Sequence, residues 1–287
     1  MIWHAITSPT DSELDQLAAR YNLHPLHIED CRNRSQIAKL EENPGYLFLV
    51  LKPAEVHADG VNIVDLDIFL GADFIITVEE DACPQTRELL DKIRSGANGQ
   101  NADEVFYRIV DVLVDSYHPV IDHYVEITDR LEEEVLENPD PAILQRILAT
   151  KRALIELRRI MTQTRDATGH LLRSQSPLLS KELGPFFRDV YDHVARNLDL
   201  VETERDLLTG TLDIYLSSVA NRTNQVMKVL AIMSTISLPS IVISGFFGMN
   251  LKQMPFSDNP YGPIIVIGMM VSVTVSLLIL LRRMRWI

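Results

Sequence analysis

Gly248-Met249-Asn250 is the most distinctive polar signal in this sequence, because it closes an uncharged run that begins at Val229. Glycine and asparagine there are also ordinary helix C-caps, so the tripeptide needs context before it means more. Carboxylates are the other abundant chemistry, with 40 Asp and Glu against 27 Lys and Arg. Groups for bond-breaking chemistry are missing. There is no phosphate-cradling glycine loop, no His-Glu-x-x-His pattern and no nucleophile elbow. The eight histidines are scattered, and most read as surface or capping residues. Cys31 and Cys83 are too few and too casually placed for a zinc site, and are expected as reduced thiols. This inventory argues against an enzyme.

The elements that hold these residues are unevenly charged. Residues 226–287 carry five bases and one acid, a net +4, and residues 1–225 carry 22 bases and 39 acids, a net −17. No basic face suits nucleic acid. Val229 to Leu251 and Pro263 to Leu281 are uncharged, and each matches the roughly 20 apolar residues that cross a bilayer. Only Lys252 to Gly262 separates them, which predicts an antiparallel hairpin of spans. Arg222 and Lys228 precede the first span and Arg282-Arg283-Met284-Arg285-Trp286 follows the second, so both ends are expected in the cytoplasm. The chain start, Met1-Ile-Trp-His-Ala-Ile-Thr, lacks the basic and apolar regions of a secretory signal. The acidic body is therefore expected to be cytoplasmic.

Within that body, Val64, Leu66, Ile68 and Leu70 alternate as in a half-buried strand, Gly71-Ala72-Asp73 turns, and Phe74, Ile76 and Val78 resume the period of two. Tyr46 to Lys52 is another strand candidate, and Thr10 or Asp11 caps a helix with Glu13 in its first turn. The first hundred residues thus read as an α/β domain. Beyond them Phe106, Ile109, Val110, Leu113 and Val114 share a helical face. Asp122–Glu137 and Pro141 to about Ser174 form an αα-hairpin broken at Asn138-Pro-Asp-Pro141, with Ile147, Leu148, Leu154, Ile155 and Leu157 as the second helix's stripe. From Pro185 to Gly248, Val190, Val194, Leu198, Val201, Leu208, Leu212, Tyr215 and Val219 keep a near-heptad seam. A helix of that length would be a rod of roughly 90 Å, more than one chain can cover, which predicts an oligomer.

Taken with Tyr215 to Leu230, Pro239, Gly245-Phe-Phe-Gly-Met-Asn250 and Met254-Pro255, the sequence closely resembles the CorA family of magnesium and cobalt channels. The likeness runs from the Trp3 strand to Arg285 and includes His24-Pro-Leu-His-Ile-Glu-Asp30 and Phe187-Arg-Asp-Val-Tyr-Asp-His193. It implies an α+β membrane protein: a funnel-shaped homopentamer with an N-terminal α/β cytoplasmic domain, a long stalk and pore helix, and two C-terminal transmembrane helices. The implied divisions are an α/β domain over 1–117, a hairpin and stalk over 118–225, a pore helix over 226–250, an outer loop over 251–262, a second span over 263–283 and a basic tail over 284–287.

The same resemblance assigns roles. Gly248, Met249 and Asn250 would form the selectivity filter, with the asparagine amides accepting hydrogen bonds from the water shell of Mg²⁺, an ion that dehydrates reluctantly. Asn224, Met227, Leu230 and Leu238 would line the pore, polar at the cytoplasmic end and apolar above it. Asp30 and Asp189 would hold a regulatory Mg²⁺ between subunits, with Glu29 and Asp111 at a nearby second site. Mg²⁺ is thus both transported and regulatory, and no organic cofactor or nucleic acid is implied. Two positions depart from the family: Ile241 replaces a pore threonine, and Phe256 replaces an acid after Met-Pro. That keeps a zinc transporter of the same superfamily as an alternative, beside a two-span receptor. The expected place is the cell (inner) membrane.

Overall fold

The computed structural model describes the chain except residues 9–11, 34–35, 58–59, 80–83, 97–99, 250–254, 257–258, 285 and 287, together with the side chains of 84, 85 and 89. Asn250, Met254, Asp258, Cys83 and the predicted cap at Thr10 or Asp11 therefore lie outside the described residues. Two compact units are present, Met1–Asp213 and Ile214–Ile287.

In the first unit, β1 (Ile2–Ile6), β2 (Lys39–Asn43), β3 (Tyr46–Leu51), β6 (Leu66–Gly71) and β7 (Phe74–Glu79) form one sheet in the order β1-β7-β6-β3-β2. β1 runs parallel to β7, and the other pairs are antiparallel. A separate ribbon pairs β4 (Ala54–His57) with β5 (Gly60–Ile63). The turn expected at Gly71 is present, and glycine is required there because a Cβ would sit 2.0 Å from the Phe74 ring.

β3, β6 and β7 are buried on both faces rather than one. Leu47, Leu49 and Leu51 of β3 join Leu66, Ile68 and Leu70 of β6 in a core shared with α3 (Pro84–Gly96) and α4 (Ala102–Asp115). Tyr46, Phe48 and Val50 point the other way, toward α1 (Ser12–Tyr21) and α2 (Pro25–Arg32). Helices on both sides explain why alternation in β6 does not separate apolar from polar residues. Even its buried Asp67 lies in this layer, and Asp65 just before the strand pairs with Lys52.

α4 ends at Asp115 with Ser116 as its cap, and α5 (Tyr117–Glu137) starts earlier than the acidic run suggested, with Tyr117 buried and its hydroxyl donating to the Lys52 carbonyl at 2.6 Å. Asp140 caps α6 (Pro141–Arg173) by accepting the Ala142 N–H at 2.8 Å. Ile147, Leu154 and Leu157 are buried as expected, but Leu148 and Ile155 are exposed. Each follows a buried residue by one position, a rotation of about 100°, which carries it off the packed face. A 3-10 turn at Lys181–Leu183 leads into α7 (Gly184–Phe247), which supplies residues to both units.

The buried face of α7 contains a polar row that the apolar seam conceals. Val190, Asn197, Glu204 and Thr211 are all buried at a spacing of seven. The Glu204 Oε2 atom is buried without a hydrogen-bond partner. Burial, and then the charge of Asp129, raise the Glu204 carboxyl pKa. A raised carboxyl means the folded state binds more protons than the unfolded state just above the ordinary value, so stability falls as pH rises through the folded pKa. Glu204→Gln should therefore raise the thermal midpoint at pH 7 by roughly 2–4 °C. Scans repeated near pH 4 should show the gain disappear. An equal gain at both pH values would mean the charge is harmless.

The second unit holds the remainder of α7 and α8 (Gly262–Arg283). Both are long and apolar enough to cross a membrane, and almost none of the residues in their most apolar stretches are buried against protein. The Ser240 hydroxyl of α7 meets the Thr274 hydroxyl of α8 at 3.4 Å.

Candidate ion pathway and regulatory acids

α7 stops at Phe247, and the next two amides fold back on the last turn. Gly248 N–H donates to the Ser244 carbonyl at 2.9 Å and Met249 N–H to the Phe246 carbonyl at 3.3 Å. A Cβ at Gly248 would lie 3.1 Å from that Ser244 oxygen, so the helix end favours glycine sterically. Met249 is exposed, and Asn250 follows it outside the described residues.

Asn224, Met227, Leu230 and Leu238 occupy one side of α7. At 100° per residue they fall within an arc of about 120°, and Ser240 lies about 140° from its centre. The Ser240–Thr274 contact therefore turns this arc away from α8. Met227, Leu230 and Leu238 are 60%, 53% and 63% exposed, an apolar face left open by its own unit. Ile241, the departure from the family's threonine, falls in the same arc and is also exposed.

The regulatory candidates form two groups. Asp111 and Asp115 stand one turn apart on α4, and Asp189 and His193 one turn apart on α7. His193 Nδ1 lies 3.4 Å from Asp115 Oδ1, and its Nε2 lies 3.6 Å from Asp189 Oδ2. Burial, followed by the charge of Asp115, pushes the Asp111 pKa up. His193 thus stands between the Asp115 and Asp189 carboxylates, with the charge of Asp111 felt nearby, an arrangement that would favour an added positive charge.

Glu29 and Asp30 are on α2, in a cleft also lined by His24, His27, Lys39, Glu41 and Glu42. Lys39 Nζ donates to Asp30 Oδ2 at 2.7 Å and to Glu41 Oε1 at 2.6 Å. Desolvation acts to lower the Lys39 pKa, but the hydrogen bonds to Asp30 and Glu41 outweigh it and leave the shift upward. Lys39 and Glu41 were not singled out from sequence. The legible signal was Lys39-Leu-Glu41 in a strand, whose period of two puts both side chains on one face. Asp115 was likewise missed, although it stands four residues after Asp111. Among the described residues, no three His, Cys, Asp or Glu side chains converge to hold a metal within one chain. Burial, then the charge of Asp67, raises the Cys31 thiol's pKa far above its usual value, which removes it as a ligand.

An acidic α/β body whose longest helix continues into a stretch apolar enough to cross a membrane, followed by a second such helix, is the architecture of a two-span membrane protein. Residues 1–283 match the family described as "CorA-like Mg2+ transporter protein", and the chain belongs to that family. It is a divalent-cation transporter of the CorA superfamily, not an enzyme. It is 35% identical to the cobalt/magnesium transport protein CorA of Thermotoga maritima, over 99% of this chain and 83% of that protein. The complete structure of the CorA magnesium transporter from Methanocaldococcus jannaschii aligns with a TM-score of 0.88 at 24% identity, over 99% of this chain and 91% of that one. A zinc transport protein, ZntB of Pectobacterium atrosepticum, is 25% identical over 78% of this chain and 68% of its own length.

Proposed function

We propose that this chain forms a homopentameric channel that passes Mg²⁺, and also Co²⁺ and Ni²⁺, passively across the cell membrane. The open arc of Asn224, Met227, Leu230 and Leu238, turned away from α8, carries the reading, because it leaves a face that other copies of α7 can complete. Five such arcs would enclose a path polar at Asn224 and apolar above it, ending at Gly248, Met249 and a ring of Asn250 amides. Uncharged carbonyl oxygens suit a hydrated ion that must bind weakly enough to leave. Intact Met249 and Met254-Pro255 favour magnesium over zinc.

In this reading both termini are cytoplasmic, residues 251–262 form the outer loop, and residues 263–283 form the outer span. Regulation comes from cytoplasmic divalent cations held between neighbouring bodies at Asp30 and Asp189, with Glu29 and Asp111 nearby. Among the described residues no set of donors is complete within one chain, which suits a site that forms only across an interface. A dication there converts carboxylate repulsion into adhesion, and binding only to the closed state shifts the population toward closure.

Flux into liposomes under Mg²⁺, Co²⁺, Ni²⁺ and Zn²⁺, each with and without a pH gradient, tests the ion and the mode. Mg²⁺ uptake that follows its own gradient and ignores pH is expected. Zn²⁺ uptake that requires a pH gradient, with little Mg²⁺ flux, would replace the proposal with a coupled zinc transporter. No flux of any ion would favour a receptor.

A further inference from the structure

Asp30 already has a cation of its own. The Lys39 ammonium sits 2.7 Å from Asp30 Oδ2, and the two side chains are only 24% and 21% exposed. The placement of that ammonium is built from below. Glu41 holds it from the other side at 2.6 Å, and the second Glu41 oxygen lies 2.9 Å from His27 Nε2. His27 Nδ1 lies 2.8 Å from the Tyr46 hydroxyl, which in turn accepts the His24 N–H at 2.8 Å. Glu41 can only accept, so His27 Nε2 carries a proton and donates it to Glu41. The imidazole is 3% exposed and stacks on Phe48 with ring centroids 4.4 Å apart. The Lys39 Nζ atom lies 5.8 Å from the centroid of the same Phe48 ring. A chain from buried Tyr46 and His27 through the more exposed Glu41 thus sets a primary ammonium on Asp30.

We propose that Lys39 is a tethered competitor for the regulatory dication, so that Mg²⁺ engages Asp30 only by displacing the ammonium. This rests on the reading of Asp30 as a regulatory ligand. The consequence is a raised threshold. An ion whose site is free only part of the time binds with its affinity reduced by that fraction. The pair is partly exposed, so the competition is modest, a factor of about three to ten. Lys39 also neutralises Asp30 when the dication leaves, which limits the repulsion between acids that would otherwise force neighbouring bodies apart. Glu41 gives the displaced ammonium an anchor 2.6 Å away, so the exchange needs only a small movement of one side chain. A plain strand-to-helix brace between β2 and α2 has the same geometry but predicts no effect on magnesium sensitivity.

The test is limited proteolysis of the full-length protein in detergent across a Mg²⁺ titration. Lys39→Met keeps most of the aliphatic side chain near Phe48 and removes the charge, and it should lower the protecting Mg²⁺ concentration about threefold to tenfold. Lys39→Arg should restore a midpoint near wild type. Asp30→Asn separates the two readings. If it leaves protection unchanged, Asp30 is not a regulatory ligand and both fall. If it weakens protection while Lys39→Met leaves the midpoint unmoved or raises it, the competitor alone is overturned. Should Lys39→Met fail to fold, amine labelling of wild-type Lys39, read by peptide mass spectrometry, decides instead. Labelling that rises with Mg²⁺ in step with protection supports displacement. Labelling that stays constant or falls overturns it.

Discussion

Asn250→Ala is expected to cut Mg²⁺ flux into liposomes by at least about tenfold, the effect of losing about 1.4 kcal/mol of hydrogen bonding to the ion's water shell. The oligomer should still assemble, because the mutation lies beyond the last turn of α7, which ends at Phe247. The folded-back amides of Gly248 and Met249 make the asparagine the first residue past a tightly closed helix end. Asn250→Asp should do something different. A carboxylate ring binds the dication more tightly, and conduction needs weak sites, so uptake should slow while apparent affinity rises. Wild-type flux and ion preference in Asn250→Ala would remove the asparagine from the filter.

The second large effect is expected from Asp30→Lys combined with Asp189→Lys. The double variant places permanent positive charge where a dication would bind, and Mg²⁺-dependent protection of the cytoplasmic body from proteolysis should disappear. The structure adds a local complication. A lysine at position 30 would stand beside Lys39, and one at position 189 would stand near His193. The assembly should therefore be checked by mass in detergent, with five copies expected, before protection is read. If Mg²⁺ protected the double variant at the wild-type concentration, the sensor would lie elsewhere.

Much of this architecture was legible because it rests on local periodicity. The two apolar spans, the uninterrupted α7 and the buried face of α4 follow from spacing along a single helix. The strands at β3, β6 and β7 were legible as elements, but not their burial on both faces, since alternation reports one covered face and here helices cover two. The polar row of Asn197, Glu204 and Thr211 escaped because a seam is sought among apolar residues. Leu148 and Ile155 misled for the opposite reason, being apolar but turned outward. At the candidate site, Asp30 was found by resemblance, whereas Lys39, Glu41 and His27 reach it only through the packing of β2 and β3 against α2. No local pattern reports that convergence.

The parallel pairing of β1 with β7 sets an order of events during synthesis. β1, at Ile2–Ile6, is not paired until Phe74–Val78 has been translated. The larger core waits longer, for Phe187, Val190 and Val194 of α7. Val229, where the first uncharged span begins, comes only about 35 residues later, about 2–7 s at the usual 5–20 residues per second. The nascent body thus has every residue of its own core before the ribosome has finished the first segment destined for lipid. The water-soluble part can fold as the chain emerges, and membrane insertion then acts on a protein that is already half built.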